Sequence, residues 1–315
     1  MDYREIARKH LSKVARAITQ KLIPYVLSKK PDIVNFILNI YERRKNGFAS
    51  PSNRDRALIQ LIYMMLTKSY RRSQPLCGLS ENELSNYLQR QSGNHSALLN
   101  YIKNMLQNCS GSNPNMRKEI NDCIKKIDTL INEYYNQKKD IKDFIYDLYL
   151  LSLRGETKIL GPKGRDNFLR DWGFIDRCPI DRHMINFISR TGISWCVLML
   201  KSDSLSEAIV KFSLLQSMLG KKKYYRTMYE IYHGIISYFC KEFLSECKIS
   251  IPINAENHLE LISITLGGAP GIFDVFIWPY CSEAKDNLGI CRDKDPPRCR
   301  ECVINYVCWF SLLRN

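Results

Sequence analysis

The sequence has only modest glycine and proline, 15 and 12 in 315 residues. It has no low-complexity tract and no internal repeat, which sets aside collagen-like, linker-like and solenoid architectures. It has no long apolar run. The stretch Trp195–Leu200 falls far short of the roughly 20 residues a bilayer needs. The opening "MDYREIARKHLSK" is charged at once and lacks the apolar core of a secretory signal. Without export, a disulfide framework is not expected for the 12 cysteines, and most of the scattered ones read as reduced core thiols. Strand-type alternation is weak throughout.

Helical spacing is what the chain does have. Ala7, Leu11, Val14, Ile18 and Leu22 recur at intervals of three and four, as one face of a helix does. "KNGFASPSNRD" (45–55), "SGNHS" (92–96) and "SGSNPN" (110–115) are breaks. Ser80 and Glu83 form a capping box. Helices fit 56–69, 117–135, 141–153, 205–219 and 224–246. The expected fold class is all-α. The net charge of +15 points to a polyanionic partner, nucleic acid before an anionic membrane surface. "KKKYY" (221–225) sets cations beside aromatics, which suits a phosphate backbone, although a solvated helix start explains it as well.

Residues 143–190 carry more chemistry. "DFIYDLYLLSL" is an apolar helix, "RGETKILGPKG" a turn-rich connection, and "RDNFLRDWGF" a second short helix. A helix, a hairpin and a helix present backbone N–H groups and a positive helix terminus to phosphate. Gly161 lets the backbone come close, and Pro162 suits the first helical turn. Asp181 opens the next helix, where an N-cap is its natural structural role. Near the C-terminus, "CRDKDPPRCRECVINYVC" (291–308) places four cysteines. Spacing alone leaves a disulfide knot, a tetrahedral zinc site and an iron–sulfur cluster open.

"LGPKGRDNFLRDWGF…PIDRH" resembles the helix-hairpin-helix DNA glycosylase superfamily, which includes endonuclease III and the 8-oxoguanine DNA glycosylases. The lysine and aspartate of its bifunctional members fall on Lys163 and Asp181, eighteen positions apart (181 − 163). The tail resembles the endonuclease III-like branch, with C-x7-C-x2-C-x5-C in place of that branch's C-x6-C-x2-C-x5-C. Ile159 stands where the hairpin's first glycine is common, and Gly164 and Arg165 replace a small pair. The resemblance covers residues 143–192 and 270–310; the first 140 residues share only helical character.

The resemblance implies two helical domains flanking a DNA cleft. One is 50–178, ending in the helix-hairpin-helix (143–174). The other joins 1–49 to 179–315 and carries the cysteine loop. It implies a bifunctional DNA glycosylase and AP lyase of base excision repair, acting on oxidised bases. Lys163 is the nucleophile and Asp181 its electrostatic partner. Gly161, Pro162, Gly164 and Arg165 meet DNA, and Arg165 helps depress the lysine pKa. Cys291, Cys299, Cys302 and Cys308 ligate a [4Fe-4S] cluster that shapes a basic loop with Arg292, Lys294, Arg298 and Arg300. Cys281 is a possible substitute ligand. Asp274 and Trp278 resemble a D-x-x-x-W helix beside the base pocket. The partner is double-stranded DNA with a damaged base or abasic site, met by a monomer in the cytoplasm on the nucleoid, with no membrane. Two alternatives stand beside this: a non-catalytic DNA-binding module with a metal loop, and an iron–sulfur redox protein. Within the glycosylases, uracil or thymine in mismatches is a further substrate.

Overall fold

A computed structural model of the chain describes residues 2–46, 51–68, 81–108, 114–136, 141–153, 161–255, 258–283, 287–292 and 298–312. In chain order the helices are α1 (Tyr3–Ala17), α2 (Ile23–Lys29), α3 (Asp32–Asn46), α4 (Pro51–Lys68), α5 (Glu81–Arg90), α6 (His95–Asn108) and α7 (Pro114–Tyr135). They continue with α8 (Ile141–Leu153), α9 (Pro162–Asp171), α10 (Arg182–Arg190), α11 (Ile193–Leu200), α12 (Leu205–Met218) and α13 (Tyr225–Phe243). After β1 (Lys248–Ala255) and β2 (His258–Thr265) come α14 (Pro270–Cys281) and α15 (Trp309–Leu312). The fold is predominantly helical. No helix among the described residues is long and apolar enough to cross a membrane.

The helical content agrees with the all-α expectation, to which the structure adds one antiparallel pair, β1–β2. "KISIPINA" and "HLELISIT" do alternate apolar with polar positions, but Pro252 sits in the middle of the first run. A proline argues against a central strand because it cannot donate to a ladder. In a sheet of two strands both are edges, so the missing N–H costs little. Pro252 stands opposite Leu261 in the register.

The chain packs as two compact units, one of Met1–Asn39 with Phe174–Asn315 and the other of Ile40–Gly173. In the first, α1 lies on α11, and α14 lies against α10, α13 and α2. Ala7, Leu11, Val14, Ile18 and Leu22 are all fully buried. Between α1 and α2 the helix widens over Ile18–Leu22, and Ile23 N–H reaches back to the Ile18 carbonyl. Pro24 follows, lacks an N–H and cannot extend the ordinary ladder, and a widened turn absorbs that loss.

In the second unit α4 packs on α7, and α8 on α9. The rings of Phe144, Phe168 and Trp172 follow one another through its core, the first pair edge-on and the second tilted. Trp172 donates its indole N–H to Gln60 (2.8 Å), whose amide N–H donates to Asp171 (2.9 Å). Arg43 lies over the Trp172 ring and donates to the Asp171 carbonyl (3.1 Å). Gly173 closes this end of α9 at φ +94°, where a Cβ would stand 2.5 Å from Arg44 Cα. Only glycine meets both the left-handed backbone and the close approach.

His95 opens α6 and ties three helices of this unit together. Its Nε2 meets Asp55 (2.5 Å) and its Nδ1 meets Asp128 (3.2 Å). Hydrogen bonding to Asp128 raises its pKa above the ordinary value, burial opposes that, and Asp55 adds to the rise. Arg54, 2.9 Å from Nδ1, also works against the charged form. The sign follows from linkage. Stability from this cluster is fully present below the unfolded histidine pKa of about 6.5 and is lost as pH rises through the higher folded value. Urea unfolding of the wild type should therefore lose stability over that window. His95→Gln should flatten the loss; an unchanged slope would count against the cluster.

Candidate functional site

The second unit holds the lysine. Residues 154–160 of the hairpin lie outside the described residues. Gly161 caps α9 with extended backbone, φ −73° and ψ 175°, and Pro162 takes the first turn. Pro162 has no N–H to leave unsatisfied, which suits it to that position. A Cβ on Gly161 would meet nothing within 4 Å, so neither backbone angle nor internal crowding demands glycine there. Lys163 is half-buried in this first turn. It stands at the positive end of the helix, whose first turn carries no acidic residue.

Arg165 corrects an expectation. It is fully buried, and so is Asp166. Its Nε and Nη2 donate to the two Asp166 carboxylate oxygens at 2.6 and 2.9 Å, and its guanidinium lies 5.0 Å from the Tyr149 ring centre. A cation enclosed and bidentately paired in this way faces the core of its unit rather than a phosphate. Gly164 and Pro162 are buried too. Of the four residues assigned to DNA, only Gly161 keeps a partly exposed place.

The first unit holds the aspartate. Asp181 is the N-cap of α10, and its Oδ1 accepts from Met184 N–H at 3.0 Å. The segment leading into it is pinned by α13. Tyr229 donates its hydroxyl to the Cys178 carbonyl (3.1 Å) and accepts from Ile180 N–H (3.3 Å), while His233 Nε2 accepts from Cys178 N–H (3.4 Å). These bonds fix the place of Asp181 from two side. Nothing in "CPID" announces Tyr229 or His233, which lie some fifty residues further on.

Eleven of the twelve residues of α14 are buried. Trp278 is the exception, 40% exposed. Asp274, one turn earlier, is buried. A large apolar ring left in solvent on an otherwise enclosed helix is a contact surface in waiting. Asp274 takes an interior position.

The four C-terminal cysteines follow α14 in a chain of tight turns. Cys302 N–H bonds to the Cys299 carbonyl (3.2 Å), Asn305 N–H to that of Cys302 (3.1 Å), and Cys308 N–H to that of Asn305 (3.1 Å). Donors point at two of the sulfurs. Tyr280 donates its hydroxyl to Cys302 Sγ (3.2 Å), and Arg190 Nη1 approaches Cys291 Sγ (3.7 Å) while donating to the Arg292 carbonyl (2.7 Å). Cys308 Sγ meets the Arg190 carbonyl at 3.3 Å. The thiols also feel one another. Burial raises Cys302, and Cys291 and Cys299 add to it. Burial pushes Cys308 up to about 11, with Cys291 and Cys302 contributing. Among the described residues no three His, Cys, Asp or Glu side chains are gathered as a metal-holding group. Tyr280 and Arg190 give two of these sulfurs a hydrogen-bond donor of the kind a thiolate accepts.

The loop's cations are partly engaged. Arg292 pairs with Glu283 (3.0 Å) and Arg298 with Glu301. Such exposed pairs hold weakly, and a phosphate competes with them. Arg300 is exposed. Lys294 lies outside the described residues, as does Ser80 of the capping box. Tyr280 and Arg190, which serve the sulfurs, had no sequence signal: neither lies within the cysteine spacing that marks the loop. The chain matches no family model, no curated protein and no solved structure in comparisons of all three kinds.

Proposed function

We propose that the chain is a helix-hairpin-helix DNA glycosylase with AP-lyase activity, acting in base excision repair on duplex DNA that carries an oxidised base or an abasic site. The observation that carries this reading is Lys163 in the first turn of α9, behind a glycine cap with open space around it. The net charge of +15 supports a DNA partner.

The chemistry follows from these groups. Excision of a base passes through a sugar of oxocarbenium character. The Lys163 amine, once neutral, bonds to the anomeric carbon as the bond to the base breaks; the C1′–O4′ bond then opens, the ring oxygen takes a proton, and a Schiff base is left, which at an abasic site forms instead from the free aldehyde with loss of water. Loss of the C2′ proton then expels the 3′-phosphate by β-elimination. A free lysine is almost wholly protonated near neutrality. Attack therefore waits on a closed complex, where desolvation disfavours an ammonium. The Asp181 carboxylate stabilises the cationic sugar. Trp278 offers a face on which an extruded base can stack. Cys291, Cys299, Cys302 and Cys308 hold a [4Fe-4S] cluster, whose contribution when bound is to fold the basic loop rather than to carry electrons in this reaction. Arg300, with Arg292 and Arg298 once released from their carboxylates, grips phosphate. The chain acts as a monomer on the nucleoid.

Asp181 gives a discriminating test. Asparagine caps a helix as well as aspartate does, so Asp181→Asn keeps the bond to Met184 and removes only the charge. Excision from duplexes carrying 8-oxoguanine, thymine glycol or uracil should fall by about 10²-fold or more with an unchanged melting midpoint. Undiminished excision would reduce Asp181 to a cap. A wild type that releases no base from any of these duplexes leaves a non-catalytic DNA-binding module as the better account.

A further inference from the structure

We propose that α12 is a self-association surface on which a second copy of the chain docks antiparallel, Leu205 of one chain meeting Leu214 of the other. The inference stands apart from the DNA reading, because α12 carries none of the residues assigned to that chemistry. The reacting unit stays the single chain.

α12 is apolar on both sides. Ala208, Leu215 and Met218 are buried on the side where α11 and α13 pack. Phe212 closes that side edge-on against Trp195, with ring centres 5.0 Å apart. Such a stripe is the ordinary core face of a surface helix. The opposite side repeats the chemistry in solvent. Leu205, Ile209, Val210 and Leu214 are 42, 50, 66 and 53% exposed. Among the described residues six large aliphatic side chains are exposed and four of them lie on this one helix. That is a patch rather than the usual scatter of single apolar residues. A helix apolar all round is ordinarily covered all round.

The order of the residues says what covers it. In "LSEAIVKFSL" (205–214) the exposed uncharged positions read Leu, Ser, Ile, Val, Ser, Leu, alike in both directions. At about 100° per residue these six fall on one half of the helix, with Ser206 and Ser213 near its midline and the aliphatic side chains on either side. A two-fold axis between Ile209 and Val210 generates an antiparallel copy in which Leu205 meets Leu214, Ser206 meets Ser213 and Ile209 meets Val210. Each of these meetings occurs twice, as an isologous contact requires. The midline serines are small enough to let the two backbones approach closely.

Charge narrows the choice further. Two copies of a chain carrying +15 repel, so they can meet only where charge is absent. No charged residue lies on this half of α12. Glu207 and Lys211 stand beside it and pair with each other at 2.6 Å. An acidic partner would find no cation on the face to recognise. Two crossing helices bury less than the roughly 800 Å² per partner of a standard interface, so the dimer is reversible, with a Kd on the order of 10–100 µM.

Sedimentation equilibrium of the full chain, free of nucleic acid, tests this across about 5–500 µM. The wild type should pass from monomer to dimer. Val210→Glu and Ile209→Lys should each weaken association by more than about tenfold, with unchanged helical circular dichroism, since each buries a lone charge at the centre of the contact. An equal mixture of the two variants decides the register, because the carboxylate introduced at position 210 faces the ammonium introduced at position 209 of the other chain. The mixture should associate more than about fivefold more tightly than either variant alone, whereas Val210→Glu mixed with Ile209→Glu should stay monomeric. A wild type monomeric across the whole range overturns the inference. So does association that Val210→Glu leaves intact, or a mixture no tighter than its components. Vesicles of phosphatidylserine and phosphatidylcholine test the other occupant: wild-type binding that Val210→Glu abolishes, with no dimer in solution, makes the face a lipid-facing one and also overturns the inference.

Discussion

Replacing Lys163 with alanine should lower strand cleavage at an abasic site by about 10³-fold or more, because the covalent step then has no amine to form it. Lysine at a helix start also serves as a plain phosphate contact, and alanine removes that as well. Lys163→Arg separates the two roles. Arginine keeps the charge at the first turn of α9 but stays protonated, so it cannot attack. It should hold duplex binding within about threefold of wild type and restore no cleavage. Cleavage that survives in either variant would move the nucleophile elsewhere. Binding that collapses in both, with cleavage falling only in step, would make Lys163 a phosphate contact and nothing more.

The second large effect concerns the neighbour of that lysine. Asp166→Ala should destabilise the protein by about 3–5 kcal/mol, since it leaves the fully buried Arg165 guanidinium without its counter-charge. Breaking one side of an enclosed pair costs far more than removing both. Arg165→Met with Asp166→Leu should therefore recover most of the loss. Urea denaturation reads the difference as a shift in midpoint at unchanged slope. The result also decides what Arg165 does. An arginine that gripped DNA would show its effect in binding and little in folding. The bidentate geometry at 2.6 and 2.9 Å and the Tyr149 ring against it predict the reverse.

This arginine shows where sequence and structure part. Spacing sees residues in order along a helix, and position four of a helix start looks like surface when the hairpin is taken as the binding edge. Which face of α9 turns inward is set by α8, the helix before it, and by α4, which packs on it from far away in sequence. Local signals fared better. The face made by Ala7, Leu11, Val14, Ile18 and Leu22 is buried in full, because helical periodicity and burial are the same fact seen twice. The spans of α8 and α12 lie within a residue of their expected limits, and α13 within three, because breakers and caps act within a few residues. The cap at Asp181 was equally legible. The strand pair was hidden by Pro252, whose usual meaning fails when a sheet has only edges. Tyr229, His233, Tyr280 and Arg190 were invisible for another reason. Each acts on a backbone or sulfur atom brought near by the fold, and no local pattern encodes such a meeting. Trp278 was named from its spacing to Asp274, but its isolation as the exposed residue of α14 needed coordinates.

The central claim is a Schiff base between Lys163 and the sugar, and borohydride trapping tests it most directly. The full chain would be mixed with duplexes carrying 8-oxoguanine, thymine glycol, uracil or an abasic site, reduced, and resolved on a denaturing gel beside Lys163→Ala. The account predicts a covalent band in the wild type, strongest on the favoured lesion and absent in the variant. No band on any duplex, the abasic one included, would contradict it.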